Sequence, residues 1–221
     1  MMPRRGVKTI SDNADLSSVL KLPEDLSKPL DMQQVFRRFA PLELEIGSGK
    51  GMFINKAAKE RPEHNFLGIE IGKKYARFSA ANLLRNKLTN ARMICGDAAA
   101  VLRDWIEPNS LFALHIYFPD PWWKRAHRKR RILRTDVVSL IESRLQSGGT
   151  LHFWTDVEEY FQSALKLLSA ETNLTGPLDD SETPQADGGS IDYNTHFERR
   201  TLLHGEKVFR AEYRKRTGET K

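Results

Sequence analysis

From residue 42 to residue 168 short apolar runs alternate with longer segments of helical period, and this alternation constrains the fold more than any other feature of the chain. Strands are expected at 42–46, 65–70, 91–95, 111–118 and 150–154, with helices at 51–59, 73–85, 98–105 and 133–145 between them. After the fifth strand Val157, Tyr160, Phe161, Ala164, Leu165 and Leu168 fall on one face of a further helix. Strands separated by helices predict βαβ units and a mostly parallel sheet, the pattern of an α/β fold, with right-handed crossovers. A last strand is expected at 207–213. It follows residues 171–194, which hold six acids, no Lys or Arg, and several Gly and Pro, and so read as a mobile surface loop. The first 40 residues are polar apart from a helical candidate at 32–39. They read as an N-terminal extension, ahead of one domain at 41–216 and a tail at 217–221.

Composition excludes several classes. With 39% hydrophobic and 29% charged residues over 221 positions, the chain can bury a core and is not disordered throughout. No apolar run approaches the roughly 20 residues that span a bilayer, so no membrane association is expected. The opening MMPRRGVKTISDNADL lacks the apolar stretch of a secretory signal. Cys95 is the single cysteine, which rules out an internal disulfide framework and fits a reducing compartment. A soluble, cytoplasmic protein is expected.

The net charge of +6 is local. Residues 124–131 (KRAHRKRR) hold six Lys and Arg and no acid; removing them from the 35 basic residues leaves 29 against 29 Asp and Glu. Such a run can be a solvated face or a tail. Here it lies mid-chain between apolar segments and beside two tryptophans, the arrangement an anionic polymer such as nucleic acid would meet.

At the first strand LELEIGSGKG passes from strand to helix through Gly47, Gly49 and Gly51. Glycines let backbone approach a ligand closely in such a turn. It is not a P-loop, because Gly51 stands where a metal-binding Ser or Thr belongs. It also departs from the dinucleotide pattern G-x-G-x-x-G. Glu70 closes the second strand, where a carboxylate can accept from both hydroxyls of a ribose. Asp97 follows the third strand and reads equally as an N-cap for the helix at Ala98 or as a ligand contact. Strand ends sharing one edge form one crevice, and the set points to a nucleoside ligand. Glu45, two residues before the turn, would repel a pyrophosphate and suits a cationic, amino-acid-bearing nucleoside such as S-adenosylmethionine.

The fourth strand leads into Pro119-Asp120-Pro121-Trp122, where two prolines restrict the backbone around one carboxylate. Trp122 is either core or a surface on which a splayed base can stack. Asp156 follows the fifth strand inside Thr155-Asp-Val-Glu158, a capping-box pattern. The histidines and Cys95 lack zinc-type spacing, and no metal is expected.

With EIGSGKG, GIEI, GDA and FPDPWWKRAHRKRR in this order, and WTDVEEY and THFERR downstream, the chain resembles the class I S-adenosylmethionine-dependent methyltransferases, and within them the tRNA (guanine-N7)-methyltransferase family. The resemblance implies a Rossmann-like α/β fold with a seven-stranded, mostly parallel sheet whose last strand is antiparallel. It implies methylation of a variable-loop guanine in tRNA. By position, Glu45, Gly47, Gly49, Glu70, Asp97 and Asp120 match cofactor-binding residues, with Asp120 also the catalytic one. Lys124, Asp156, Thr195, His196, Phe197 and Glu198 match substrate-binding positions. Arg125, His127, Arg128, Lys129, Arg130 and Arg131 match the RNA-contact segment. Two other classes compete. A nicotinamide dehydrogenase is opposed by Glu45 and the absent third fingerprint glycine, and a non-catalytic RNA-binding module leaves the strand-end acids idle.

Overall fold

The computed structural model describes residues 10, 14–122, 125–178 and 207–217. Strands β1 (Leu20–Lys21), β2 (Leu42–Ile46), β3 (Asn65–Glu70), β4 (Ala91–Cys95), β5 (Leu111–Tyr117), β6 (Leu145–Thr155) and β7 (Phe209–Arg214) form one sheet in the order β1-β4-β3-β2-β5-β6-β7. All pairings are parallel except that of β6 with β7. The sheet is thus seven-stranded with its last strand antiparallel, as the resemblance implies. Helices α1 (Met32–Phe36), α2 (Met52–Glu60), α3 (Lys73–Arg85), α4 (Ala98–Asp104), α5 (Thr135–Arg144) and α6 (Glu158–Glu171) cover it.

Strand side chains alternate between the two faces. Leu42, Leu44 and Ile46 of β2 enter a cluster that also takes Phe36, Leu102, Ile141 and Phe161 from α1, α4, α5 and α6. On the opposite face α2 and α3 pack Phe53, Ile54, Ala57, Ala80 and Leu83 against Phe66 and Met93. That side of β2 carries Glu43 and Glu45. Gly51 permits the close fit of α2 on α3, because a Cβ there would collide with Ser79.

Three regions differ from the sequence reading. The segment set apart as an extension supplies β1, paired with β4 through Leu20–Met93 and Lys21–Ile94. A two-residue strand is too short to show a period. It is anchored by burial of Leu16 and Val19, worth roughly 1.5–3 kcal/mol each. Strand β6 begins five residues before the expected 150–154, because Gly148 (φ +74°) lies within an irregularity where the register against β5 shifts. The paired glycines let the strand continue through this irregularity. Finally, the expected loop 171–194 starts as ordered chain. Glu171 ends α6, Leu174 is buried, and Thr175 exchanges two backbone hydrogen bonds of 2.8 Å with Arg214, lining the outer edge of β7. Residues 179–194 of that loop lie outside the described residues. No described helix is long and apolar enough to cross a membrane.

After β2 the chain moves one way across the sheet, to β3 and β4, and then returns to the other side of β2 for β5 and β6. The split between β2 and β5 is the switch point where open α/β sheets bind ligands, outside the carboxyl ends of the strands.

Candidate active site

The carboxyl end of β2 opens into the glycine turn. Gly47 and Gly49 have φ of +75° and +51°, a left-handed conformation that side chains resist. A Cβ on Gly47 would meet nothing within 4 Å, so this side of the turn is open. The turn is tied to β3: the N–H groups of Gly47 and Ser48 donate to the Ile69 carbonyl at 2.8 and 3.1 Å. Glu70, half-buried at the end of β3, accepts from Gly49 N–H at 2.9 Å through Oε2 and from Gly72 N–H at 2.7 Å through Oε1. One carboxylate thereby joins the glycine turn to the start of α3. Ile71, directly after it, is 72% exposed; this apolar side chain beside the crevice lies outside every strand and helix pattern of the sequence, and only its position after a strand-ending acid marks it.

Glu45 is only 6% exposed, and its Oε2 is buried without a hydrogen-bond partner. Burial raises its pKa to about 8, with the charge of Glu70 adding to the effect and the Ser48 hydroxyl and Ile54 N–H opposing it. A buried orphan acceptor is rare and costly in a folded chain. Here it lies beside an open glycine turn.

Asp97 is exposed, and its Oδ1 accepts from Ala100 N–H at 2.9 Å at the start of α4. Of the two readings of this residue, the cap is realised. Asp120 is exposed at the end of β5, and Asp156 is exposed directly after β6. The β5–β6 pairing continues one step beyond β5, where Phe118 N–H donates to the Trp154 carbonyl at 2.8 Å. The capping box at 155–158 does not form. Thr155 is the last, fully buried residue of β6, its Oγ1 accepts from Val157 N–H at 3.2 Å, and α6 starts only at Glu158. Strand pairing with Phe209 holds Thr155 out of the capping position.

The loop between Asp120 and α5 holds the basic run. Arg125–Arg130 winds into a short 3-10 helix. Trp122 is half-buried, with His127 edge-on at 5.8 Å and the exposed Arg130 over its ring at 5.0 Å. Arg131, expected among the RNA contacts, is 7% exposed, and its Nε–H donates to the Pro121 carbonyl at 2.7 Å. Lys124, Thr195, His196, Phe197 and Glu198 lie outside the described residues, as do the side chains of Arg125, Arg128 and Lys129.

The glycine turn, Glu45, Glu70, Asp97, Asp120 and Asp156 therefore share the carboxyl edge of five adjacent strands, with cationic chain on the β5 side. A cavity of about 540 Å³ opens at the other end, lined by Leu16, Lys21, Lys73, Arg77 and Cys95 among others. It adjoins the end of β4 and is separate from the glycine turn.

Residues 39–211 match a family model described as "Putative methyltransferase". A tRNA (guanine-N(7)-)-methyltransferase of Rhodopirellula baltica is 44% identical over 222 residues, covering 98% of this chain and 81% of its own length. One from Bordetella pertussis is 41% identical over 182 residues, covering 82% of this chain and 70% of its own. Among solved structures, the antibiotic-resistance methyltransferase Kmr superposes with a TM-score of 0.56 at 15% identity, over 86% of this chain and 93% of that one. A 30S ribosomal A1408 methyltransferase from an uncultured bacterium gives 0.52 at 18% identity, over 83% and 92%. At such identities these two structures speak for the fold alone.

Proposed function

The chain belongs to the tRNA (guanine-N(7)-)-methyltransferase family, and on that premise we propose that its crevice takes S-adenosylmethionine and delivers the methyl group to N7 of a variable-loop guanine in tRNA. When bound, S-adenosylmethionine supplies an electrophilic methyl carbon on a sulfonium, together with a cationic amino group. The residues present suit such a donor. Glu45 offers a buried acceptor without an internal partner, and Gly47 leaves its side of the turn open. Each oxygen of Glu70 retains a lone pair after its backbone hydrogen bond, so the carboxylate can still accept from ribose hydroxyls. Ile71 offers an apolar surface to the base, and Asp97 an acceptor beside it.

Guanine N7 has an in-plane lone pair and no proton, so no general base is required. The chain's task is alignment, which can lower a barrier by roughly 7–11 kcal/mol. Methylation leaves positive charge on the purine. Asp120 is assigned to stabilise that charge as it develops, and Asp156 to hold the guanine by its N–H edge. Lys124 and residues 195–198 are assigned to the substrate by family position. Arg125, His127, Arg128, Lys129 and Arg130 are assigned to the phosphate backbone. Action on tRNA fits a cytoplasmic protein.

The orphaned Glu45 carboxyl at the glycine turn carries this reading. Purified protein, labelled S-adenosylmethionine and unmodified tRNA should yield label that chemical cleavage locates at 7-methylguanosine. Asp120→Ala should remove turnover while leaving the far-ultraviolet circular dichroism unchanged. Label in another base, or full activity in Asp120→Ala, would overturn the assignment.

A further inference from the structure

The turn bearing Asp120 is strained. Phe118 and Trp122, on either side of Pro119-Asp120-Pro121, have φ of +48° and +44°. For bulky side chains such a conformation is unfavourable and persists only where surrounding contacts enforce it. On the β6 side the enforcing contact is the hydrogen bond from Phe118 N–H to the Trp154 carbonyl. On the far side it is Arg131, whose Nε–H donates to the Pro121 carbonyl at 2.7 Å.

Arg131 is well placed to hold it. Its guanidinium lies over the Tyr160 ring at 4.7 Å, Nη1 donates to Ser163 Oγ at 3.4 Å, and Nη2 lies 4.0 Å from a Glu159 carboxylate oxygen. All three partners are on α6, the helix that follows Asp156. A single buried side chain thus ties the Asp120 turn to the element that begins beside Asp156. A planar guanidinium can stack and donate in its plane at once, which an ammonium cannot. Arg130, one residue earlier, points out over Trp122 and is exposed.

We propose that Arg131 is a positioning residue: it holds the strained Asp120 turn against α6 and so fixes the spacing of the two substrate-facing acids, instead of binding RNA. The inference rests on the methyl-transfer reading above.

Arg131→Lys keeps the charge and loses the planar fork. At saturating tRNA and cofactor, kcat should fall by about tenfold or more, since a misplacement near 1 Å costs up to about a hundredfold. KM for tRNA and the salt dependence of RNA binding should match wild type. Arg130→Ala should instead weaken RNA affinity and flatten the log–log salt slope by about 0.7–0.9. An Arg131→Lys enzyme with wild-type kcat, or one whose loss lies wholly in RNA affinity, would overturn the proposal. A second arm needs no variant. Arginine-selective dicarbonyl labelling of wild-type protein, read by peptide mass, should modify Arg130 in the free protein and spare Arg131 with or without tRNA. Labelling of Arg131 at the rate of Arg130, with protection by tRNA, would refute the inference even if the variants fail to fold. If wild type transfers no methyl group, the functional reading fails, while labelling still decides where Arg131 acts.

Discussion

Two glutamates on one face of β2, two residues apart, have opposite surroundings. At the amino-terminal end Glu43 is fully buried and fully partnered. It meets Arg61 and His64 at 2.6 Å and accepts from His115 Nε2–H at 2.8 Å. Hydrogen bonds from the two histidines and the charges around it outweigh burial, and its pKa is pushed far below the usual carboxylate range. The polar contacts continue across the sheet. Tyr117 O–H donates to His115 Nδ1 at 2.9 Å, His115 stacks on His152 at 4.9 Å, and His152 Nδ1 lies 3.4 Å from Glu212 Oε2. At the carboxyl end Glu45 is nearly as buried, one oxygen is unpartnered, and its pKa moves the other way. A buried carboxylate whose partners are internal holds the fold together. Glu45 keeps one carboxyl oxygen without such a partner.

The comparison breaks first at Glu43. Glu43→Gln should lower the unfolding free energy by about 3 kcal/mol, the low end for one member of a buried ion pair, because Arg61 and His64 keep some water. Urea unfolding at pH 7 measures this. A loss under about 1 kcal/mol would mean that the network contributes little to stability.

Glu45→Gln should do the opposite. Cofactor affinity by calorimetry should fall about 10–100-fold, as for loss of a charged hydrogen bond, while stability at pH 8 should equal or exceed wild type. The pH profiles of the two ends should also diverge. The folded value for Glu45, about 8, exceeds its ordinary 4.5, so its contribution to stability is full below 4.5 and lost as pH rises toward 8. Burial holds His115 below its ordinary 6.5, and burial together with the neighbouring His115 lowers His152 to about 3. The contribution of both is therefore full above 6.5 and lost as pH falls below it, for His152 as pH falls toward 3. Thermal melts across pH should decline on both sides in wild type, and Glu45→Gln should flatten only the alkaline side. An unchanged alkaline limb would show that Glu45 does not titrate there.

The smallest effect is expected at Asp97, a crevice acid that already has an internal partner. Asp97→Asn keeps an N-cap and should change stability by a few tenths of a kcal/mol, whereas Asp97→Ala should cost about 1 kcal/mol. Both should weaken cofactor binding if the charge is used. Wild-type affinity in Asp97→Asn would leave the residue with its cap alone.

Strands β2, β3 and β4 and helix α3 form where the apolar spacing marks them, because each buries a regular stripe against a single layer. The glycine turn and strand-end acids were legible for the same reason: they interrupt a strong period at fixed places. The capping-box pattern at Thr155 does not become a helix cap, since pairing with β7 keeps Thr155 in the strand and α6 starts only at Glu158. Strand β1 has no signature in the sequence, because two residues carry no period and depend on packing by distant chain.

The order of residues alone determined that strands and helices alternate from β2 to α6, and that a glycine turn and a cationic run flank one edge, since these follow from local spacing and composition. The tertiary structure decided what each charged side chain does. Glu43 and Glu45, like Arg130 and Arg131, are nearly indistinguishable as letters in a string. Partner supply and access to water separate them, and both are set by chain distant in sequence.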